Sequence, residues 1–169
     1  MPKRYYRNFD KPLSIGSSNF RKILSFYLFE CPTPNTSART RTFNELGWNK
    51  SKQFAQLKKK MLDASLGNLR QNYYPCKKDE LAEKFETVRT VKPVNEYCVF
   101  LKFDEKNVMQ SLYSAIRNAF AHGSFSIQSF NGIKVYFFAN FDGYLKAEIV
   151  LREDTLLKWI EIIKKGYQE

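Results

Sequence analysis

Apolar residues return along this chain with two different periods, and the change between them sets the expected layout. Phe20, Ile23, Leu24, Tyr27 and Leu28 recur with the spacing of one helix face. Asn19 is placed to cap that helix, and Pro32 and Pro34 end it. The stretch "TPNTSARTRT", residues 33–42, is then a polar loop carrying Arg39 and Arg41. Phe54, Leu57, Met61, Leu62, Ala64, Leu69 and Tyr73 predict one long amphipathic helix over residues 49–73, stopped by Pro75. A shorter helix is expected over residues 79–88. After Pro93 the run "VNEYCVFLKF" is rich in β-forming residues and reads as extended. Asp104 is placed to cap a third major helix over residues 105–122, with Val108, Leu112, Ala115, Ile116, Ala119 and Phe120 as its core stripe.

Beyond Gly123 the period changes from helical to alternating. "FSIQSF", "IKVYFFAN" and "YLKAEIVL" are separated by the turn pairs "NG" and "DG", which predicts a three-stranded antiparallel meander. Asp154 is placed to cap a last helix that turns Leu156, Trp159, Ile160 and Ile163 inward and ends at Gly166. The expected architecture is a single domain, residues 1–169, of the mainly α class. It would be a bundle of four or five helices with a small β-meander, about residues 124–151, inserted before the last helix. The sheet is expected to be too small to form the core.

Composition adds a partner class. Hydrophobic residues make up 43% of the chain and aromatics 16%, which excludes a disordered chain. Against 28 Lys and Arg stand 17 Asp and Glu, and the formal charge of +11 makes nucleic acid the first partner to consider. The lysine-rich usage common among small soluble proteins is the other explanation of that charge. Cys31, Cys76 and Cys98 are odd in number and widely spaced, which suits ordinary thiols in a reducing compartment better than a disulfide framework or a metal knuckle. The apolar run "ILSFYLF" stops at Glu30, far short of the roughly 20 residues a membrane span needs. A cytoplasmic, soluble protein without a membrane partner is the expectation.

Candidate chemistry gathers at the end of the third major helix. His122 is the one histidine, and Arg117 and Asn118 precede it. At 100° per residue, Asn118 and His122 lie about 40° apart around the helix, whereas Arg117 and His122 diverge by about 140°. Gly123 favours a left-handed C-terminal cap, which frees the His122 ring from the ideal direction. Imidazole can take or give a proton near neutrality, and guanidinium holds a phosphate and neutralises transition-state charge. Asparagine can donate to a phosphate oxygen. Together the three suit cleavage of a phosphodiester without a metal. The alternative is a histidine that caps its helix and interacts with the dipole. Arg39, Arg41, Lys58, Lys59 and Lys60 are candidate contacts to an RNA backbone, or a solvated loop and helix face. Tyr5 and Tyr6 are placed either to stack on bases or to pack against the bundle.

The string "IRNAFAHGS" resembles the R-x4-6-H motif of the HEPN superfamily, at Arg117 and His122, with the polar Asn118 directly after the arginine. The tail "GYLKAEIVLREDTLLKWIEIIKKG" is similar to the strand-then-helix ending of some prokaryotic HEPN families linked to plasmids and phage defence. The resemblance covers about residues 104–166. It implies a helical bundle that forms a homodimer, in which two motifs build one composite site of a metal-independent endoribonuclease needing no cofactor. Arg117 would hold the scissile phosphate, His122 would act as general acid or base, and Asn118 would support them. The RNA 2′-hydroxyl would attack the adjacent phosphate and leave a 2′,3′-cyclic phosphate. The implied setting is phage defence, abortive infection or a toxin–antitoxin system, with an antitoxin or a larger defence complex as further partner. Toxins of this family are often extended to R-x4-H-x-Y, but here the position holds Ser124, so silencing by tyrosine modification has no target there. A second expectation is a catalytically silent HEPN-like module that binds RNA or nucleotide. A third, DNA binding, rests on charge alone, because no helix-turn-helix, zinc finger or basic zipper is legible.

Overall fold

The computed structural model of the protein describes residues 17–33, 41–103 and 108–168. Its organising element is a sheet. Five strands, β1 (Tyr73–Cys76), β2 (Tyr97–Leu101), β3 (Phe125–Phe130), β4 (Ile133–Asp142) and β5 (Tyr144–Arg152), pair in the order β1-β2-β5-β4-β3. β1 and β2 run parallel, and the other neighbours are antiparallel. With them pack α1 (Ser18–Ser25), α2 (Ser51–Ala64), α3 (Leu81–Val88), α4 (Val108–Ala121) and α5 (Glu153–Lys165). The expected mainly α, HEPN-like bundle of four or five helices is therefore corrected to a mixed α/β fold.

Burial gives the physical reason. The meander forms where its turns predict, and Asn131 and Gly132 both take positive φ, 51° and 82°, as a two-residue hairpin of this hand requires. But β5 also pairs with β2, and β2 with β1, so the meander is part of a larger sheet. Cys98 and Phe100 of β2, Tyr136 and Phe138 of β4, and Ile149 and Leu151 of β5 enter the main core with α1, α2, α4 and α5. The alternate residues Val99, Val135, Phe137 and Val150 enter a second, smaller core with Leu81 and Val88 of α3. Strands covered on both faces read as continuous apolar runs, as in "YCVFL" and "VYFFA", rather than as clean alternation. The sheet is the floor of the core, not an ornament on it.

Local chemistry moves several boundaries. Ser17, not Asn19, caps α1, its Oγ accepting the Phe20 N–H at 3.4 Å. The Asn19 amide instead donates to Glu153 Oε1 at 3.0 Å, tying α1 to the start of α5. α1 runs into a π-helical turn, Phe26–Glu30, before Pro32. The helix expected over residues 49–73 ends at Ala64, because the chain must bring Gly67 against the backbone of Asn95, where a Cβ would lie 2.7 Å from a carbonyl. Tyr73 then opens β1, and Pro75 sits inside that strand, which an edge position permits. α5 starts at Glu153, so Asp154 lies in its first turn rather than at its cap. The Asp104 cap, Arg39, Tyr5 and Tyr6 lie outside the described residues. No helix among the described residues is long and apolar enough to cross a membrane.

Glu96 pins these pieces together. It is fully buried at φ 62°, and its two carboxylate oxygens accept the N–H groups of Gly67 at 2.8 Å and Arg152 at 2.9 Å. Three chain segments thus meet on one side chain: the loop after α2, the start of β2 and the junction of β5 with α5. Burial pushes its carboxyl above the usual range, against the lowering effect of those bonds and of Thr155.

Candidate functional site

The C-terminal end of α4 is built by its sequence. Gly123 adopts φ 66°, its N–H donates to Phe120 O at 3.2 Å, and Ser124 N–H donates to Ala119 O at 2.8 Å. That pair of bonds is a Schellman cap, and it leaves His122 as the exposed residue at the helix end. The His122 N–H still donates to Asn118 O at 3.0 Å, so the helical direction holds up to it. Its imidazole makes no hydrogen bond or ion pair among the described residues.

Arg117 is half-buried. Its Nη1 donates to Asn118 Oδ1 at 3.3 Å, while its buried Nε has no hydrogen-bond partner among the described residues. Its charge acts on Cys31, at the end of the π-helical turn. Burial pushes that thiol up to about 11, and the Thr33 hydrogen bond and the Arg117 guanidinium oppose the rise. The turn is held against α4 by rings: Tyr27 stacks on Tyr113 at 5.9 Å and lies 6.5 Å from Phe120. Tyr27 also donates its hydroxyl to Leu156 O at 2.9 Å.

One chain therefore brings Arg117 and Asn118 together and leaves His122 apart. The Asn118 side chain serves the arginine and its carbonyl serves the His122 backbone. As an inventory, the end of α4 offers a fixed cation with an unmet donor and an exposed proton carrier. No hydrogen bond or ion pair joins them among the described residues.

The basic candidates are spread and partly engaged. Arg41 Nη2 donates to Glu45 O at 3.1 Å and so braces the turn at residues 43–47. Lys58, Lys59 and Lys60 are all exposed on α2. Lys58 lies 5.3 Å over the Tyr73 ring and Lys60 5.6 Å over the Trp48 ring, which fixes them on opposite flanks of the helix.

A cavity of about 360 Å³ escaped sequence reasoning. Phe43, Trp48 and Phe54 line it together with the amides Asn44, Asn49 and Gln110. The available signal was "FNELGWN", where two aromatics and two asparagines crowd a stretch without helical or strand period. No protein-family model, curated protein or solved structure matches the chain.

Proposed function

We propose that the protein is a metal-independent endoribonuclease whose active site is the end of α4 contributed twice, once by each chain of a homodimer. The observation that supports this most is that Arg117 keeps an unmet donor while the exposed His122 imidazole makes no bond to it among the described residues. A partner of the same sequence can supply what each group lacks. The reading takes from the HEPN resemblance the side chains of the motif and leaves the bundle aside.

The chemistry is then a transesterification. One His122 accepts the proton of the RNA 2′-hydroxyl as that oxygen bonds to the adjacent phosphorus. The bond from phosphorus to the 5′-oxygen breaks, the leaving oxygen takes a proton from water, and the imidazolium returns its own to solvent, so that one Arg117–His122 pair across the interface completes the cut. Arg117 holds the charge that builds on the non-bridging oxygens, with Asn118 keeping its guanidinium in place. The products are a 2′,3′-cyclic phosphate and a 5′-hydroxyl. DNA lacks the 2′-hydroxyl and is spared. The cellular role that follows is phage defence or a toxin–antitoxin system, controlled by some route other than tyrosine modification next to the motif.

A second reading is favoured by the Arg117–Asn118 bond, which already engages the guanidinium: RNA or nucleotide binding without cleavage. Labelled single-stranded RNA incubated with purified protein and EDTA separates the two. The wild-type protein should cut it, and His122→Ala, which removes an exposed side chain and keeps the fold, should cut about 100-fold or more slowly. Retention of RNA without products by the wild-type protein would replace the first reading by the second.

A further inference from the structure

The cavity between the turn at residues 43–47, the start of α2 and α4 is linked to Arg117 through two of its wall residues, Thr33 and Gln110. Cys31, which feels the Arg117 charge, lies 3.6 Å by its sulfur from Thr33 Oγ1, and Thr33 is part of the cavity wall. Gln110, on the same wall, precedes Arg117 by seven positions, so the two share one stripe of α4 about 10 Å apart along the axis. We infer that this cavity is a nucleobase-binding pocket that seats one base of the nucleic acid whose phosphate Arg117 holds, an inference that rests on the RNA reading above.

The lining argues for a base. Phe54 gives a half-buried flat ring, backed by the buried rings of Phe43 and Trp48, and Phe43 is fixed edge-on by Phe54 at 5.6 Å and Tyr113 at 5.9 Å. Asn44 and Asn49 are exposed at the rim, and their carboxamides carry the paired donor and acceptor that the edge of a base presents. The indole N–H of Trp48 is buried without an acceptor among the described residues, an unmet donor in the wall. Cations surround the same place. Arg41 and Lys50 adjoin wall residues in sequence, and Lys60 stands over the Trp48 ring, while Glu45 turns its carboxylate to the Thr42 N–H at 2.7 Å. A lipid chain would leave the carboxamides unpaired. The volume falls within the roughly 300–1,000 Å³ of small-ligand sites.

The test reads Trp48. Trp48 is part of the cavity wall, whereas Trp159, equally buried, donates its indole N–H to Met61 O at 2.9 Å and takes no part in the cavity, so a base seated there should change the emission of Trp48 alone. Full-length protein is titrated with the four ribonucleoside 5′-monophosphates, with ribose 5-phosphate and with a short oligoribonucleotide. At least one mononucleotide should quench saturably and ribose 5-phosphate should not. Asn44→Ala with Asn49→Ala should weaken that binding about tenfold, and Phe54→Leu, which keeps apolar packing but removes the flat ring, should do the same. Equal quenching by ribose 5-phosphate, or affinity unchanged in these variants, overturns the pocket. Displacement of the mononucleotide by the oligoribonucleotide assigns the base to RNA, and failure to displace it overturns that assignment in favour of a free nucleotide. Mononucleotides hold no bond to cut, so the two readings fail separately. Quenching without RNA cleavage keeps the pocket and removes the nuclease, and cleavage without quenching does the reverse.

Discussion

Single residues carry more of this fold than their types announce. Glu96 reads in the sequence as one more charge before a strand, yet it is fully buried and joins three segments through its two oxygens. Glu96→Gln keeps the shape but turns an amide NH2 toward a backbone N–H that needs an acceptor. A loss of about 1–3 kcal/mol in urea denaturation is expected, and an unchanged midpoint would mean that the junction is held without it. What was legible at this scale was local. Gly123 could be read as a left-handed cap because the cap depends on residues within one turn. Asn19 has a side chain suited to a cap, but the fold engages it with Glu153, a partner 134 positions away, and Ser17 caps the helix instead. In the same way Lys58 and Lys60 looked like one basic run, while the fold sends them to two different rings.

At the scale of elements, α4 owes its end to Gly123. A Cβ there would meet nothing within 4 Å, so the cost of Gly123→Ala is the left-handed backbone alone, about 1–2 kcal/mol by urea denaturation. Gly123→Asn should recover part of that loss, since asparagine tolerates the left-handed region, and equal loss in both variants would point to packing instead. The helices were legible where they show a solvent face, because only such a helix has a readable stripe. α2 was read too long because apolar Leu69 and Tyr73 keep helical spacing with Leu62 by chance of sequence. The limit comes from Gly67 and its close approach to Asn95, a contact between distant segments. β2 was read as extended, but nothing in its residues names β5 as a neighbour.

Across the whole molecule, the error over fold class has the same origin. Tyr97 pairs with Val150, and β1 joins the sheet in parallel through β2, so the sheet is assembled from pairings that no local period encodes. Charge, by contrast, survives the correction. Lys50, Lys52, Lys58, Lys59 and Lys60 fall on or beside α2 with no acidic residue among them, and the helical layer presents them to solvent. The candidate site was half legible: its residue types and their angle of about 140° on an ideal helix could be read, but not the Asn118 oxygen that engages the Arg117 guanidinium, and the proposed nuclease asks a second copy to complete the site. Mixing two inactive variants tests that claim most directly. Arg117→Ala and His122→Ala should each leave RNA intact. Their equimolar mixture should recover about a quarter of wild-type cleavage, since half of the dimers are mixed and each regains one of two Arg117–His122 pairs across the interface. A mixture as inactive as its components would contradict a site shared between chains.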